Sequence, residues 1–284
     1  MKLPPFEYAC PTSIVEAVAL LAAHGGEAKP LAGGQSLVPM LAFRIAAPTL
    51  LVDLRKLAEL RQIKITNDGV TLGAMARWRD ILEDARLRTA HPLLVAAVAH
   101  VAHYQIRNRG TVGGSIAHAD PAAELPGIAV TCEVKITAVG KAGARVIDAA
   151  DFFRGPLTTA LKGDEIVTEI CLPAWPARRR FGFAEFARRR GDFALAAAAL
   201  FYDEDGGKAR NAHVGAIGVA DRPLRLTAVE RVIEGNAIDD TMIAEAEAAA
   251  SAAVDPADDI HASGAYRKTL IGVMVERALR SATT

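Results

Sequence analysis

Two pairs of adjacent glycines set the strongest limit on what this chain can fold into: Ala32-Gly33-Gly34-Gln35-Ser36 and, far downstream, Thr111-Val112-Gly113-Gly114-Ser115. A residue without Cβ can take positive φ and leave its N–H open, and successive open N–H groups make a concavity that holds an anion. One such pair is ordinary turn chemistry. Two, each with a serine close behind, suggest two bends around a single phosphate-bearing ligand. Neither stretch is a Walker loop, because no Gly-Lys-Ser or Gly-Lys-Thr follows, and neither fits G-x-G-x-x-G. The N–H groups of Gly33, Gly34, Gln35, Gly113 and Gly114 and the hydroxyls of Ser36, Thr111 and Ser115 are the expected phosphate donors. Ala32, Leu37 and Val112 border them and are counted with the site.

Composition narrows the function classes. Lys plus Arg and Asp plus Glu both number 33, so no basic footprint for nucleic acid is present. No signal peptide and no apolar run of membrane-spanning length is read, and the expected compartment is the cytoplasm. Cys10, Cys132 and Cys171 lie far apart with no C-x-x-C spacing, which argues against zinc or an iron–sulfur cluster held by this chain. A length of 284 residues allows two or three lobes.

Taken in order, residues 1–57 alternate strand and helix around the first glycine pair and predict a small α/β unit with parallel strands. Thr12 or Ser13 can cap its first helix, with Glu16 placed for a capping box. Residues 58–176 open with a hairpin across Asn67-Asp68-Gly69. Helices are then expected near 77–84 and 92–101, with the second glycine pair as a long loop. Pro121 is expected to start a helix running to about Val130, followed by a hairpin across 140–143 and a strand over 165–172. Residues 177–284 read as strands 193–202 and 209–219, then helices over 226–233, 241–253 and 263–282. Pro173, Pro176 and the run Arg178–Arg180 mark the boundary before this last part.

The stretches A-G-G-Q-S and Q-I-R-N-R-G-T-V-G-G-S-I-A-H-A-D-P-A-A-E-L-P, with the later F-A-R-R-R-G-D-F-A and the closing helix, carry a resemblance that covers nearly the whole chain. Together they resemble the FAD-binding subunit of the molybdenum hydroxylases, and more narrowly the medium subunit of the carbon monoxide dehydrogenase type. The resemblance implies an α+β fold: a two-lobe FAD-binding domain of the PCMH, vanillyl-alcohol oxidase-like type, then a small α+β domain with a three-stranded antiparallel sheet and helices. It implies FAD, held at its pyrophosphate by both glycine stretches, and because no Cys or His stands in either stretch where a covalent flavin bond would require one, noncovalent binding is expected. It further implies a dimer of heterotrimers, with a large molybdopterin-binding subunit and a small subunit carrying [2Fe–2S] clusters. Electrons from those clusters would pass through FAD to an external acceptor.

Several residues have two readings at this level. Asp120 and Glu124 can accept from ribose or ribityl hydroxyls, and Asp120 can equally cap a helix beginning at Pro121. By resemblance, Glu124 is the acidic residue that follows the second bend. Phe193 is the candidate ring contact, where the related pattern has tyrosine, or else a core aromatic opening a strand. Leu161 and Val167 fall where the family touches flavin with backbone or aliphatic groups. His118 lies beside the cofactor or a partner, or stabilises the bend. Arg107 and Arg109 face phosphate or anchor the bend to carboxylates. Arg188–Arg190 face a partner or solvent. Two other functions fit less of the pattern: a self-sufficient FAD oxidoreductase with its own substrate pocket, and a noncatalytic nucleotide-binding assembly module.

Overall fold

The computed structural model describes residues 2–283. The first lobe contains β1 (Glu7–Ala9), α1 (Ile14–Ala23), β2 (Ala28–Leu31), α2 (Leu37–Ala42) and β3 (Leu50–Asp53). Its sheet has the order β1-β3-β2 with parallel pairing throughout. Parallel neighbours need a long crossover, and each connection here carries a helix. Ser13 Oγ accepts from the Glu16 N–H, while the Glu16 carboxylate accepts from the Thr12 N–H, one residue earlier than a capping box requires. Ala17, Val18 and Leu21 of α1 pack on Leu50 and Val52, so α1 covers one face of the sheet, whose strands end together at a C-terminal edge. The first glycine stretch leaves β2 at that edge, where ligands bind in parallel α/β sheets.

The second lobe runs through β4 (Ile63–Thr66), β5 (Gly69–Gly73), α3 (Trp78–Glu83), α4 (Leu87–Ala90), α5 (Pro92–Val98), α6 (Tyr104–Arg107), α7 (Val112–His118) and α8 (Glu124–Thr131). It continues with β6 (Lys135–Gly140), β7 (Gly143–Asp148), α9 (Ala149–Phe152), β8 (Phe153–Gly155), β9 (Thr158–Thr159) and β10 (Ile166–Pro173). Five strands form an antiparallel sheet in the order β4-β5-β10-β6-β7. Both expected hairpins are present in it.

Two local expectations are corrected here. The second glycine pair is not a loop but the first turn of α7, capped by Thr111 Oγ1 accepting from the Gly114 N–H. Pro121 does not start a helix. It lies in the connection to α8, which begins at Glu124, and Asp120 Oδ1 accepts from the Ala122 N–H in that turn rather than capping α8.

The last part contains β11 (Arg179–Phe186), β12 (Ala196–Asp205), β13 (Lys208–Ile217), β14 (Leu224–Arg225), α10 (Thr227–Ile233), α11 (Asp240–Ala252) and α12 (Gly264–Ala282). Its antiparallel sheet has four strands, in the order β11-β12-β13-β14, not three. The arginine run at the expected boundary opens β11. Arg179 and Arg180 pair with Asp203 and Glu204 across the ladder, which turns a cluster of like charges into cross-strand ion pairs. Among the described residues no helix is long and apolar enough to cross a membrane.

Candidate functional site

The two glycine stretches, distant in sequence, meet in space. A side chain on Gly33 would run into the Arg109 carbonyl, and one on Gly114 would come within 3.6 Å of the Ala32 methyl. Between them β2 delivers the first stretch and Thr111 the second.

Their backbones are used differently. Gly34 sits at φ +72°, where only glycine is unstrained, and Gln35 Nε2 folds back to donate to the Gly33 carbonyl at 2.9 Å. The N–H groups of Gly33, Gly34, Gln35, Ser36 and Leu37 make no hydrogen bond among the described residues. Five successive open donors, in half-buried residues, form the kind of concavity that takes an anion.

The second stretch is closed by comparison, contrary to the expectation that Gly113 and Gly114 present free donors. The Gly113 N–H goes to the Ala74 carbonyl at 2.8 Å, and that of Gly114 to Thr111 Oγ1 at 3.2 Å. Glycine is required at 113 for close packing, since a Cβ there would fall 2.5 Å from that of Ala74. What this side keeps for a ligand is the Ser115 hydroxyl, which has no partner among the described residues, and the donor proton of Thr111. Val112 is buried in the core beneath them.

The carboxylates follow. Asp120 is half-buried at the turn after α7. Glu124 is 5% exposed, and burial, followed by the charge of Glu185, pushes its carboxyl up to about 8, so it is protonated at neutral pH. His118 is half-buried at the end of α7, and burial holds its imidazole below the usual range against a weaker opposing pull from Asp120.

Phe193 does not open a strand, because β12 starts only at Ala196, and at 57% exposure it is not a core aromatic. Its chain neighbour Ala194 is linked to the turn of Asp120 through Gly218. The Gly218 N–H donates to the Pro121 carbonyl, while the Gly218 backbone lies against the Ala194 carbonyl beside Phe193. Val167 is 5% exposed with its side chain in the core, so only its backbone can reach a ligand. Leu161 is half-buried, its N–H donating to Thr159 Oγ1. Arg107 anchors the approach to the second stretch, through the carbonyls of Val101 and Ala102 rather than through carboxylates. The residue that sequence reasoning missed is Glu185 on β11, whose side chain is 4% exposed and whose charge acts on Glu124. Its signal was the alternation Phe181, Phe183, Glu185 on one strand face.

A glycine stretch with five unpaired donors after a parallel β strand, joined to an α+β lobe, is the arrangement of a phosphate-binding α/β unit, and the relatives make it a flavoprotein. Residues 4–175 match the FAD binding domain in molybdopterin dehydrogenase, and residues 181–282 match the CO dehydrogenase flavoprotein C-terminal domain. The medium chain of carbon monoxide dehydrogenase from Hydrogenophaga pseudoflava is 35% identical over 98% of this chain and 97% of its own length. The 6-hydroxypseudooxynicotine dehydrogenase complex subunit alpha of Paenarthrobacter nicotinovorans is 36% identical over 99% and 96%. Among solved structures, a carbon monoxide dehydrogenase from Hydrogenophaga pseudoflava superposes with a TM-score of 0.97 at 37% identity, covering 100% of this chain and 99% of that one. Quinoline 2-oxidoreductase from Pseudomonas putida 86 gives 0.95 at 36% identity, covering 99% and 98%. The chain belongs to the FAD-binding medium subunits of the molybdenum-containing hydroxylases, a family of oxidoreductase subunits.

Proposed function

We propose that this chain is the FAD-binding electron-transfer subunit of a heterotrimeric molybdenum hydroxylase. FAD is held without a covalent bond, its pyrophosphate on the N–H groups of residues 33–37 with the hydroxyls of Ser36, Thr111 and Ser115 beside them. Asp120 and Glu124 lie toward the ribityl and ribose hydroxyls, with Phe193, Leu161 and the Val167 backbone along the ring. Bound FAD supplies the redox chemistry, and the chain positions it and tunes its potential. Electrons come from [2Fe–2S] clusters of a small partner subunit, fed by a large molybdopterin subunit that oxidises the substrate, and leave to an external acceptor. The same reading divides the chain at about 57 and 176, into two FAD-binding lobes and a C-terminal domain.

The observation that carries this reading is the row of five open donors against a second, hydroxyl-bearing stretch. A half-buried concavity of unpaired N–H groups is costly unless an anion or water fills it. Flavin content and FAD titration of the purified chain test it. Gly33→Ala, which drives a methyl into the Arg109 carbonyl and parts the two stretches, should weaken FAD binding at least about tenfold. Gly155→Ala, with open space around the new Cβ, should leave it unchanged. Full flavin content in the Gly33 variant would show that the cleft is wrongly assigned. Stoichiometric molybdenum and iron in material co-purified with this chain would support the heterotrimer.

A further inference from the structure

The connection from β11 to β12, residues 187–195, carries Phe193 near its end. Its base is closed by the Leu195 N–H donating to the Phe186 carbonyl at 2.8 Å, and it turns where the Asp192 N–H donates to the Arg189 carbonyl at 3.1 Å. Between it and the end of α5 lies a cavity of about 280 Å³, with His100, Glu185, Arg189 and Arg190 among its walls. A segment that spans empty space gains little hold from side-chain packing. Its place is set by the points where its own chain meets something fixed.

Gly191 is such a point. A Cβ there would fall 2.7 Å from the Ala102 carbonyl oxygen and 2.9 Å from the carbonyl carbon, so the two backbones are in direct contact. Gly191 also takes φ +90°, a conformation that suits glycine and strains other residues. Ala102 is pinned in its turn. Arg107 Nη1 donates to the Ala102 carbonyl at 2.7 Å and to that of Val101 at 2.9 Å, and Val101 is buried in the core of the second lobe. Those bonds hold Ala102 at φ +42°, an uncommon state for a residue with a Cβ. A further hold on the connection, Arg188 Nη2 donating to the His261 carbonyl at 2.7 Å, reaches only an exposed loop. Two residues past Arg107, the Arg109 carbonyl lies against Gly33. Segment 101–109 thus touches both the first glycine stretch and the connection that carries Phe193.

We infer that Arg107 and Gly191 are positioning residues for the flavin ring: Arg107 fixes the Ala102 turn, Gly191 rests on it, and that contact sets where Phe193 stands. The inference rests on the flavin reading above for the role of Phe193. Because Arg107 keeps the turn from yielding, a side chain at 191 lifts the connection and takes Phe193 with it. The donors of residues 33–37 belong to another segment and keep their arrangement.

The first test is a double-mutant cycle on the full-length chain. Gly191→Ala should weaken FAD binding about tenfold, the scale of one lost aromatic stacking contact, and leave the affinity for ADP, which has the diphosphate but no flavin ring, within about twofold. Phe193→Ala should do the same, and adding Gly191→Ala or Arg107→Ala to it should cost nothing further. A second tenfold loss in the Phe193→Ala background, or an equal loss of ADP affinity, would mean that the glycine does not act through Phe193. The second test needs no cofactor. It is fluorine NMR of the flavin-free Phe193→Trp chain labelled with 5-fluorotryptophan, whose other two signals come from Trp78 and Trp175. Adding Gly191→Ala should shift the signal of the introduced side chain and leave that of Trp175, which packs on Phe181 and Phe201, in place. Gly155→Ala, with open space around its Cβ, should move neither. An unmoved signal with Gly191→Ala overturns the inference. If Phe193→Ala binds FAD as the wild type does, the ring contact of the proposed function fails, and the fluorine spectrum still decides whether Gly191 fixes the connection.

Discussion

Glu124 and His91 are both buried and both uncharged at neutral pH, yet they bend the stability of the fold in opposite directions. His91 is 1% exposed, accepts from the Leu94 N–H, and lies 4.6 Å from the Trp175 ring. Burial pushes its imidazole down to about 3 from 6.5. Its contribution is therefore complete above pH 6.5 and is lost as pH falls toward 3. Glu124 is raised from 4.5 to about 8, mainly by burial, so its contribution is complete below 4.5 and is lost as pH rises through 8. Glu124→Gln cannot ionise. Its stability relative to wild type should grow with pH across that window, by an amount on the order of a few kcal/mol. Urea unfolding from about pH 5 to about pH 9 measures it. A difference independent of pH would refute the burial account, while the acid limb set by His91 should be shared by both proteins. The sequence revealed Glu124 as an acid behind a bend but not its burial. Ala122-Ala123-Glu124-Leu125 does not say which face of a short helix meets a sheet contributed by residues 179–225.

At the scale of elements, α7 shows why one glycine stretch was legible and the other was not. The first follows a β2 strand and precedes α2, so turn chemistry predicts it directly. The second reads as a loop in the sequence, since glycine disfavours helix by about 0.8–1.0 kcal/mol per residue relative to alanine, and α7 has two in seven residues. Tertiary contacts override that propensity: the Val112 and Gly113 N–H groups donate to the carbonyls of Ala76 and Ala74, which ties the first turn of α7 to the chain leaving β5. The remaining N-terminal donor, at Gly114, depends on Thr111, and this threonine was the overlooked start signal. Thr111→Ala should cost about 1–2 kcal/mol in chemical unfolding, and Thr111→Ser should recover most of it. Because the proposed function sets Thr111 beside the FAD pyrophosphate, the alanine variant should lose FAD affinity as well. Equal stability of the alanine variant and wild type would mean that the cap does not hold this turn.

Across the whole molecule, the boundary suggested by Pro173, Pro176 and the arginine run is a point where packing crosses rather than one where it stops. Trp175 meets Phe181 and Phe201 edge-on at 5.9 and 5.7 Å, and the Arg179 guanidinium lies 4.2 Å from the Phe201 ring centre. Ala199 and Phe201 of β12 belong to the same buried cluster as Leu93, Ile128 and Phe152 of the second lobe. On the other face of the junction, α8 lies so close to β13 that side chains at Gly127 and Gly215 would strike Ile217 and Thr131. The helix that begins with Glu124 is thus clamped from both sides of the apparent boundary. A chain ending at Pro176 would keep both glycine stretches but leave the α8 face and Trp175 bare to water. It should aggregate or unfold without cooperativity and fail to hold FAD. Phe201→Ala in the full chain removes one buried ring, and should instead retain the fold at a cost of about 3–5 kcal/mol. Calorimetry and FAD titration separate the two outcomes. A truncated chain that melts cooperatively and binds FAD with full affinity would make the C-terminal part an independent addition. On the proposed function the shared core makes the C-terminal part a support of the flavin site, because it covers one side of α8, the helix that carries Glu124 and follows the turn of Asp120.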